Sequence, residues 1–309
     1  MKPRARACAR KASRVALAVV GAVGACGGER SDHGAGNALT LATTTTIEDS
    51  GLLSVLDSAF RASPPQVRLR VIVAGSGEVL ALGRRRDVAV LLTHAPAAES
   101  AFVAAGFAAE RRPLMYSEFV LVGPPSDPAG VRGERDAAAA LRRISSARAR
   151  FASRGDDSGT HQRELALWRE AGIGVEPGRP PADWYAEIGQ GMGETLRIAS
   201  ETEAYALTDR PTFLVLQSGL RLELLVEPDP PLWNRYAVLV VEGAANIEAA
   251  RAFADWLASP AAQELIRSYG RARFGRSLFM PGVPETSPQH TGLQSEPEPE
   301  SDPEPESEP

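Results

Sequence analysis

Nine consecutive residues, Ser153-Arg154-Gly155-Asp156-Asp157-Ser158-Gly159-Thr160-His161, bring one arginine, three hydroxyls and two glycines to the start of a helical run at 162–171. A helix N-terminus leaves about four backbone N–H groups unpaired and carries roughly half a positive charge, so it draws anions. Ser and Thr add neutral donors there, and the Arg154 guanidinium adds a planar fork suited to tetrahedral oxyanions. The same residues also read as a plain helix entry, capped by Asp157 or Ser158, with Arg154 in a surface ion pair. Other stretches favour the anion site. Four threonines, Thr43 to Thr46, follow an alternating run Leu39-Thr40-Leu41-Ala42, and Gly75-Ser76-Gly77-Glu78 follows another apolar run.

These groups need elements to place them. Residues 39–42 read as a strand, 43–51 as a hydroxyl-rich loop, and Leu52, Leu53, Val55, Leu56, Ala59 and Phe60 as one face of a helix. Residues 67–74 form a second strand, 75–78 a small loop, 79–86 a short helix, and 87–92 a third strand almost wholly apolar beyond Asp87. A helix at 97–105 closes on Gly106. This alternation implies an α/β fold with a parallel, right-handed wound sheet, whose ligands bind in loops at the carboxyl ends of strands. Further elements are expected at 115–123 (strand), 136–148 and 194–205 (helices), 220–226 and 236–242 (strands), and 247–257 and 260–269 (helices). Pro124-Pro125 offers a natural crossing to a second domain. Gly75-Ser76-Gly77 lacks the third glycine and acidic partner of a dinucleotide fingerprint, and no Gly-x-x-x-x-Gly-Lys-Ser/Thr run occurs.

The ends of the chain carry different information. Residues 1–25 hold six basic residues, no acid and an apolar run from Val15 to Ala25, which predicts a signal peptide. The run is too short to span ~30 Å of hydrocarbon as a helix. Val23-Gly24-Ala25-Cys26 reads as a lipobox, making Cys26 the lipidated first residue of a lipoprotein, with 26–38 a flexible tether. Cys8 lies in the leader, so the mature chain has one cysteine and no internal disulfide. Residues 284–309, rich in Glu-Pro and free of Lys and Arg, read as a disordered acidic tail. The body is net acidic, which argues against nucleic acid as partner but not against a small anion held by local donors. With four His in all, no cation-binding cluster of ordinary spacing appears. His161 reads as a helix-entry residue, His94 as a strand-end turn, and Trp168, Trp184, Trp233 and Trp256 as packing residues.

Taken together, the motifs resemble those of tungstate-binding proteins, the extracytoplasmic components of tungstate ABC transporters. Leu41-Ala42-Thr43-Thr44-Thr45 with Asp49-Ser50-Gly51-Leu52-Leu53 is similar to that family's opening motif, and residues 153–161 to its central one. Gly189-Gln190-Gly191-Met192-Gly193, Ala204-Tyr205-x-Leu207-Thr208-Asp209-Arg210 and Leu278-Phe279 fit in the same order, so the resemblance spans residues 39–280. It implies a type II periplasmic-binding-protein fold: two α/β lobes with mostly parallel sheets, hinged over one oxyanion. Lobe 1 would comprise 39–120 and 235–283, and lobe 2 would comprise 121–234. The resemblance places tungstate or molybdate at Thr44, Thr45, Ser76, Arg154, Ser158 and Thr160, with no cofactor. It implies a monomer that serves an ABC permease and ATPase from the periplasmic or extracytoplasmic side. Two departures stand out: Thr46 replaces an expected Ser, and Ser76 and Glu78 replace a Thr and an uncharged residue.

Two rival functions share these residues. A lipid-anchored sensor would bind the same oxyanion without a transporter. A hydrolase would use Ser158 and His161, but a nucleophilic triad draws its members from separate elements, and no Gly-x-Ser-x-Gly elbow is present.

Overall fold

The computed structural model describes residues 38–64, 67–178 and 182–284. The leader 1–25, Cys26, the tether up to Asn37 and the acidic tail from Glu285 lie outside the described residues.

The first third of the chain alternates strand and helix as expected, with one short helix, α1, where a loop was expected: β1 (Ala38–Thr44), α1 (Thr45–Asp49), α2 (Leu52–Arg61), β2 (Arg68–Ala74), α3 (Ser76–Arg84), β3 (Val90–Thr93) and α4 (Pro96–Ala104). β1 pairs in parallel with β2 along its whole length and with β3 on its other side. All four residues of β3 are buried, which its apolar run requires. Leu52, Leu53, Leu56 and Phe60 form the buried face of α2. Next come β4 (Ala108–Gly123), α5 (Ala137–Ser146), β5 (Phe151–Ser153), α6 (Gly159–Glu170), β6 (Tyr185–Glu187), α7 (Met192–Thr202), β7 (Ala206–Asp209) and α8 (Arg210–Leu216). The chain then returns through β8 (Glu223–Val226), β9 (Leu232–Val241), α9 (Ile247–Ala258), α10 (Pro260–Ser268), α11 (Arg271–Phe274) and β10 (Met280–Pro281).

The large sheet has the order β10-β4-β9-β3-β1-β2, with β7 and β8 also paired to β4. Only its β1, β2 and β3 are mutually parallel. β9 runs antiparallel to β3, and β4 runs antiparallel to β9, β7, β8 and β10. This corrects the expectation of mostly parallel sheets. The chain goes out along β4 and comes back along β9, and antiparallel neighbours need no crossover helix.

β4 and β9 pair from Ala108↔Val241 to Phe119↔Leu232 and join two lobes. One core gathers β1–β3, α2 and α9 around Phe60, Phe253 and Phe279. A second gathers Phe151, Trp168, Trp184 and Tyr185, and a third Met192, Leu196 and Phe213. Along β4 the side chains pass from the first core at Met115 to the second at Phe119. Along β9 they pass back between Leu232 and Tyr236. Among the described residues no helix is long and apolar enough to cross a membrane.

Candidate oxyanion site

The two stretches expected as loops are helix starts. β1 ends at Thr44 and α1 begins at Thr45; α3 begins at Ser76 with Gly75 as its cap; α6 begins at Gly159 with Ser158 as its cap; α7 begins at Met192 with Gly191 as its cap. Hydroxyls and glycines suit such starts because they relieve unpaired N–H groups or let another segment come close.

Contacts between these starts assemble one site. The Gly159 N–H donates to Ser76 Oγ at 3.3 Å, linking α6 to α3. The Arg154 guanidinium donates through Nη2 to Thr45 Oγ1 at 3.4 Å, and through Nε to the Gln190 carbonyl at 3.0 Å. It also forms an ion pair with Asp156, whose other oxygen accepts from Ser158 N at 3.2 Å. Thus Thr45, Ser76, Arg154 and Ser158 belong to one connected network, flanked in sequence by Thr44 and Thr160. Thr44, Ser76, Arg154, Ser158 and Thr160 are at most 1% exposed, and Thr45 is half-buried. Glu78 is exposed.

Three buried polar atoms of this set have no protein partner: Thr44 Oγ1, Arg154 Nη1 and Thr160 Oγ1. Orphaned buried donors are rare because each forfeits a hydrogen bond it had in water. Thr44 and Thr160 stand at helix starts and Arg154 is hydrogen-bonded to Thr45, so these three groups are candidate donors to an anion. A Cβ at Gly159 would run into the His94 carbonyl oxygen, so only glycine lets α6 approach the end of β3 this closely.

The supporting residues were less visible in the sequence. Ser158 Oγ accepts from His161 N at 3.3 Å, and His161 Nδ1 accepts from Asp157 N at 3.0 Å. Ser158 thus caps α6, while the His161 ring reaches back to the N–H of the residue before the cap, and the cap's own N–H goes to Asp156. The Ser158 hydroxyl is therefore engaged with the helix backbone rather than with the His161 ring, and the pair is not a nucleophile and base. Burial also pushes the His161 ring below its ordinary range. His94 pairs with Asn234 at 2.9 Å, and burial together with the Arg154 charge pushes it down to about 4, so it is neutral. Glu164 is buried behind Arg154, where it accepts from Tyr185 OH at 2.7 Å, Trp168 Nε1 at 3.2 Å and Arg154 N at 3.4 Å. Burial outweighs those bonds and pushes its carboxyl up to about 7. The Glu164-to-Trp168 helical spacing was the only sequence signal for this support.

Elsewhere, a cleft of about 520 Å³ is lined by Arg132, Arg135, Arg210 and Arg276. Each has an acidic partner (Glu223, Asp229, Glu118 with Glu227, and Glu118), as Arg154 has, but none has a buried nitrogen without a partner, so that cleft offers no comparable donor set. Among the described residues no His/Cys/Asp/Glu group is placed to hold a metal cation.

Two lobes joined by crossing strands, with neutral donors and one arginine buried between them, define a solute-binding protein. The profile of a family described as a PBP superfamily domain matches residues 28–261. The tungstate-binding protein TupA of Peptoclostridium acidaminophilum is 41% identical over 281 residues, covering 87% of this chain and 95% of that one. The solved tungstate ABC transporter structure from Geobacter sulfurreducens is 38% identical with a TM-score of 0.68, covering 75% of this chain and 98% of that one. TupA from Desulfovibrio alaskensis G20 is 40% identical with a TM-score of 0.65, covering 80% and 99%. The chain belongs to the tungstate-binding protein family of the PBP superfamily. Its members are substrate-binding proteins and not enzymes.

Proposed function

We propose that the protein captures tungstate, with molybdate as a related cargo, and delivers it to an ABC permease and ATPase. The observation that carries this reading is the set of orphaned donors Thr44 Oγ1, Arg154 Nη1 and Thr160 Oγ1. Relatives named for tungstate at about 40% identity support it. The ligand contacts are assigned to Thr44, Thr45, Ser76, Arg154, Ser158 and Thr160.

The charge balance follows from the geometry. Arg154 is already paired with Asp156, so the pair contributes little net charge toward a dianion. Compensation comes instead from the N-termini of α3 and α6 and from hydroxyl donors, which is how an anion out of water is stabilised without titrating a side chain. Such a cradle is chemically inert, and it accepts any tetrahedral dianion that fits. Size separates tungstate and molybdate from sulfate.

The protein works outside the cytoplasm as a monomer, held at the membrane by lipid on Cys26, with no cofactor. Protein produced in medium containing tungstate is expected to retain tungsten at about one atom per chain, by elemental mass spectrometry of the purified sample. Background tungsten alone would contradict the reading. Cys26→Ser is expected to give soluble or uncleaved protein in place of the anchored one; a variant cleaved and membrane-held like wild type would remove the anchor.

A further inference from the structure

α1 and α7 come from different lobes and touch beside the oxyanion site. Thr45 and Asp49 stand four residues apart on α1, hence on one face of it. Opposite them stand Gly191 and Gly193, the cap and second residue of α7. A Cβ at Gly191 would lie 3.2 Å from Thr45 Cβ, and one at Gly193 would lie 3.3 Å from Asp49 Oδ2. The two glycines therefore leave the α7 start without a side chain where Thr45 and Asp49 of α1 approach it. No side chain of α7's own cap satisfies its first N–H groups. Asp49 does so from the other lobe, with Oδ2 accepting from Gly193 N at 2.9 Å. The Gln190 carbonyl, one residue before the cap, receives Arg154 Nε. The contact is thus tied directly to the arginine of the site.

We propose that Asp49 is a positioning residue that latches the two lobes by capping α7 across the cleft, and that it sets how long the bound oxyanion is retained. The inference rests on the tungstate reading for its ligand, but the contact itself is independent of any ligand. A carboxylate at a helix N-terminus gains from both the N–H bond and the aligned peptide dipoles. That gain exists only while the lobes are together, so losing it accelerates opening. The contact also forms without ligand, so it opens for entry as well as for release, and its loss does not slow anion entry. Asp49 is partly buried, and desolvation raises its carboxyl even though Gly193 N and Arg154 oppose the rise.

The test compares wild type, Asp49→Ala, Gly193→Ala and the control Glu48→Ala, which removes a carboxylate from an exposed position on the same helix. Ala is used at position 49 because an Asn side chain would still accept from Gly193 N and caps helices as well as Asp does. Two readouts are taken on folded protein. Amide hydrogen exchange at Gly193 without ligand reports the contact, and timed desalting of tungstate-loaded protein reports release. Asp49→Ala is expected to lose protection at Gly193 and to release tungstate roughly three- to tenfold faster, with association no slower than wild type. Gly193→Ala is expected to do the same by pushing α7 away, and Glu48→Ala to match wild type. If wild type retains no tungstate while Asp49→Ala still exposes Gly193, the latch stands and the tungstate reading falls. If wild type retains tungstate and Asp49→Ala releases it at the wild-type rate, the latch is overturned. It is equally overturned if Glu48→Ala accelerates release as much as Asp49→Ala.

Discussion

Arg154 is held from three sides, by the Gln190 carbonyl, the Thr45 hydroxyl and the Asp156 carboxylate, with Nη1 left over. A lysine keeps the charge but loses the fork, so Arg154→Lys is expected to weaken tungstate binding without removing it. Arg154→Glu places a like charge at a buried anion and is expected to abolish binding. Thr45→Ala and Ser158→Ala are each expected to cost about 1–2 kcal/mol, the worth of one hydrogen bond to a charged group. Titration of the four variants, each shown to be folded, gives the order. Binding by Arg154→Glu equal to wild type would make Arg154 purely structural. The residue types of the candidate site were legible in the sequence because Arg, Ser, Thr and Gly at a helix start suit an anion as well as a plain cap, and the companion threonine and glycine stretches favoured the anion. The roles of Asp156 and Glu164 were not, because chain position does not say where a carboxylate points. Glu164 gives a pH signature. Its folded carboxyl titrates at about 7 against an ordinary 4.5, so the native state holds a proton that the unfolded chain releases. The stability it contributes is complete below about pH 4.5 and is lost as pH rises through about 7. Relative to Glu164→Gln, which cannot titrate, the wild type is expected to lose stability from about pH 5 to about pH 8, by up to roughly 1.4 kcal/mol per pH unit. Parallel thermal-unfolding midpoints across that range would show that Glu164 is not perturbed.

The alternation of β1, α2, β2, α3 and β3 was readable because helix and strand periods differ plainly there. α1 and the first turn of α3 were not, since Thr43–Thr46 and Gly75–Gly77 have low helix propensity and form helix only where the fold uses their N–H groups. α8 was missed although Asp209 caps it and Pro211 stands in its first turn, both ordinary start signals. The antiparallel run of β4, β9, β7 and β8 was invisible because pairing direction depends on where the chain travels between strands. The closest approach of elements at the site is that of α6 to the residue after β3. Gly159→Ala places a methyl against the His94 carbonyl, which belongs to backbone and has little room to move. This variant is expected to fold, since Ala suits a helix, yet to bind tungstate at least tenfold more weakly because the lobes no longer meet. Wild-type affinity with wild-type stability would show that the α6 approach does not shape the site.

At the scale of the whole molecule, the formal charge is −5 although the proposed cargo is an anion. No contradiction arises, because helix N-termini and hydroxyls create a positive locality that net charge does not report. Two lobes and crossing strands let that locality be buried around an ion and reopened, which a single rigid core does not allow. The motif series from residue 39 to residue 280 carried the family, and pairing across β4 and β9 supplied what the series lacked: how the two lobes are joined. The central claim is that the buried donors at these helix starts bind a large tetrahedral dianion. Titration calorimetry of the wild-type protein with tungstate, molybdate and sulfate tests it most directly. The account predicts a single site per chain that takes tungstate and molybdate and binds sulfate at least about a hundredfold more weakly, a difference of roughly 2.7 kcal/mol. Sulfate bound as tightly as tungstate, or no heat with any of the three, would contradict it.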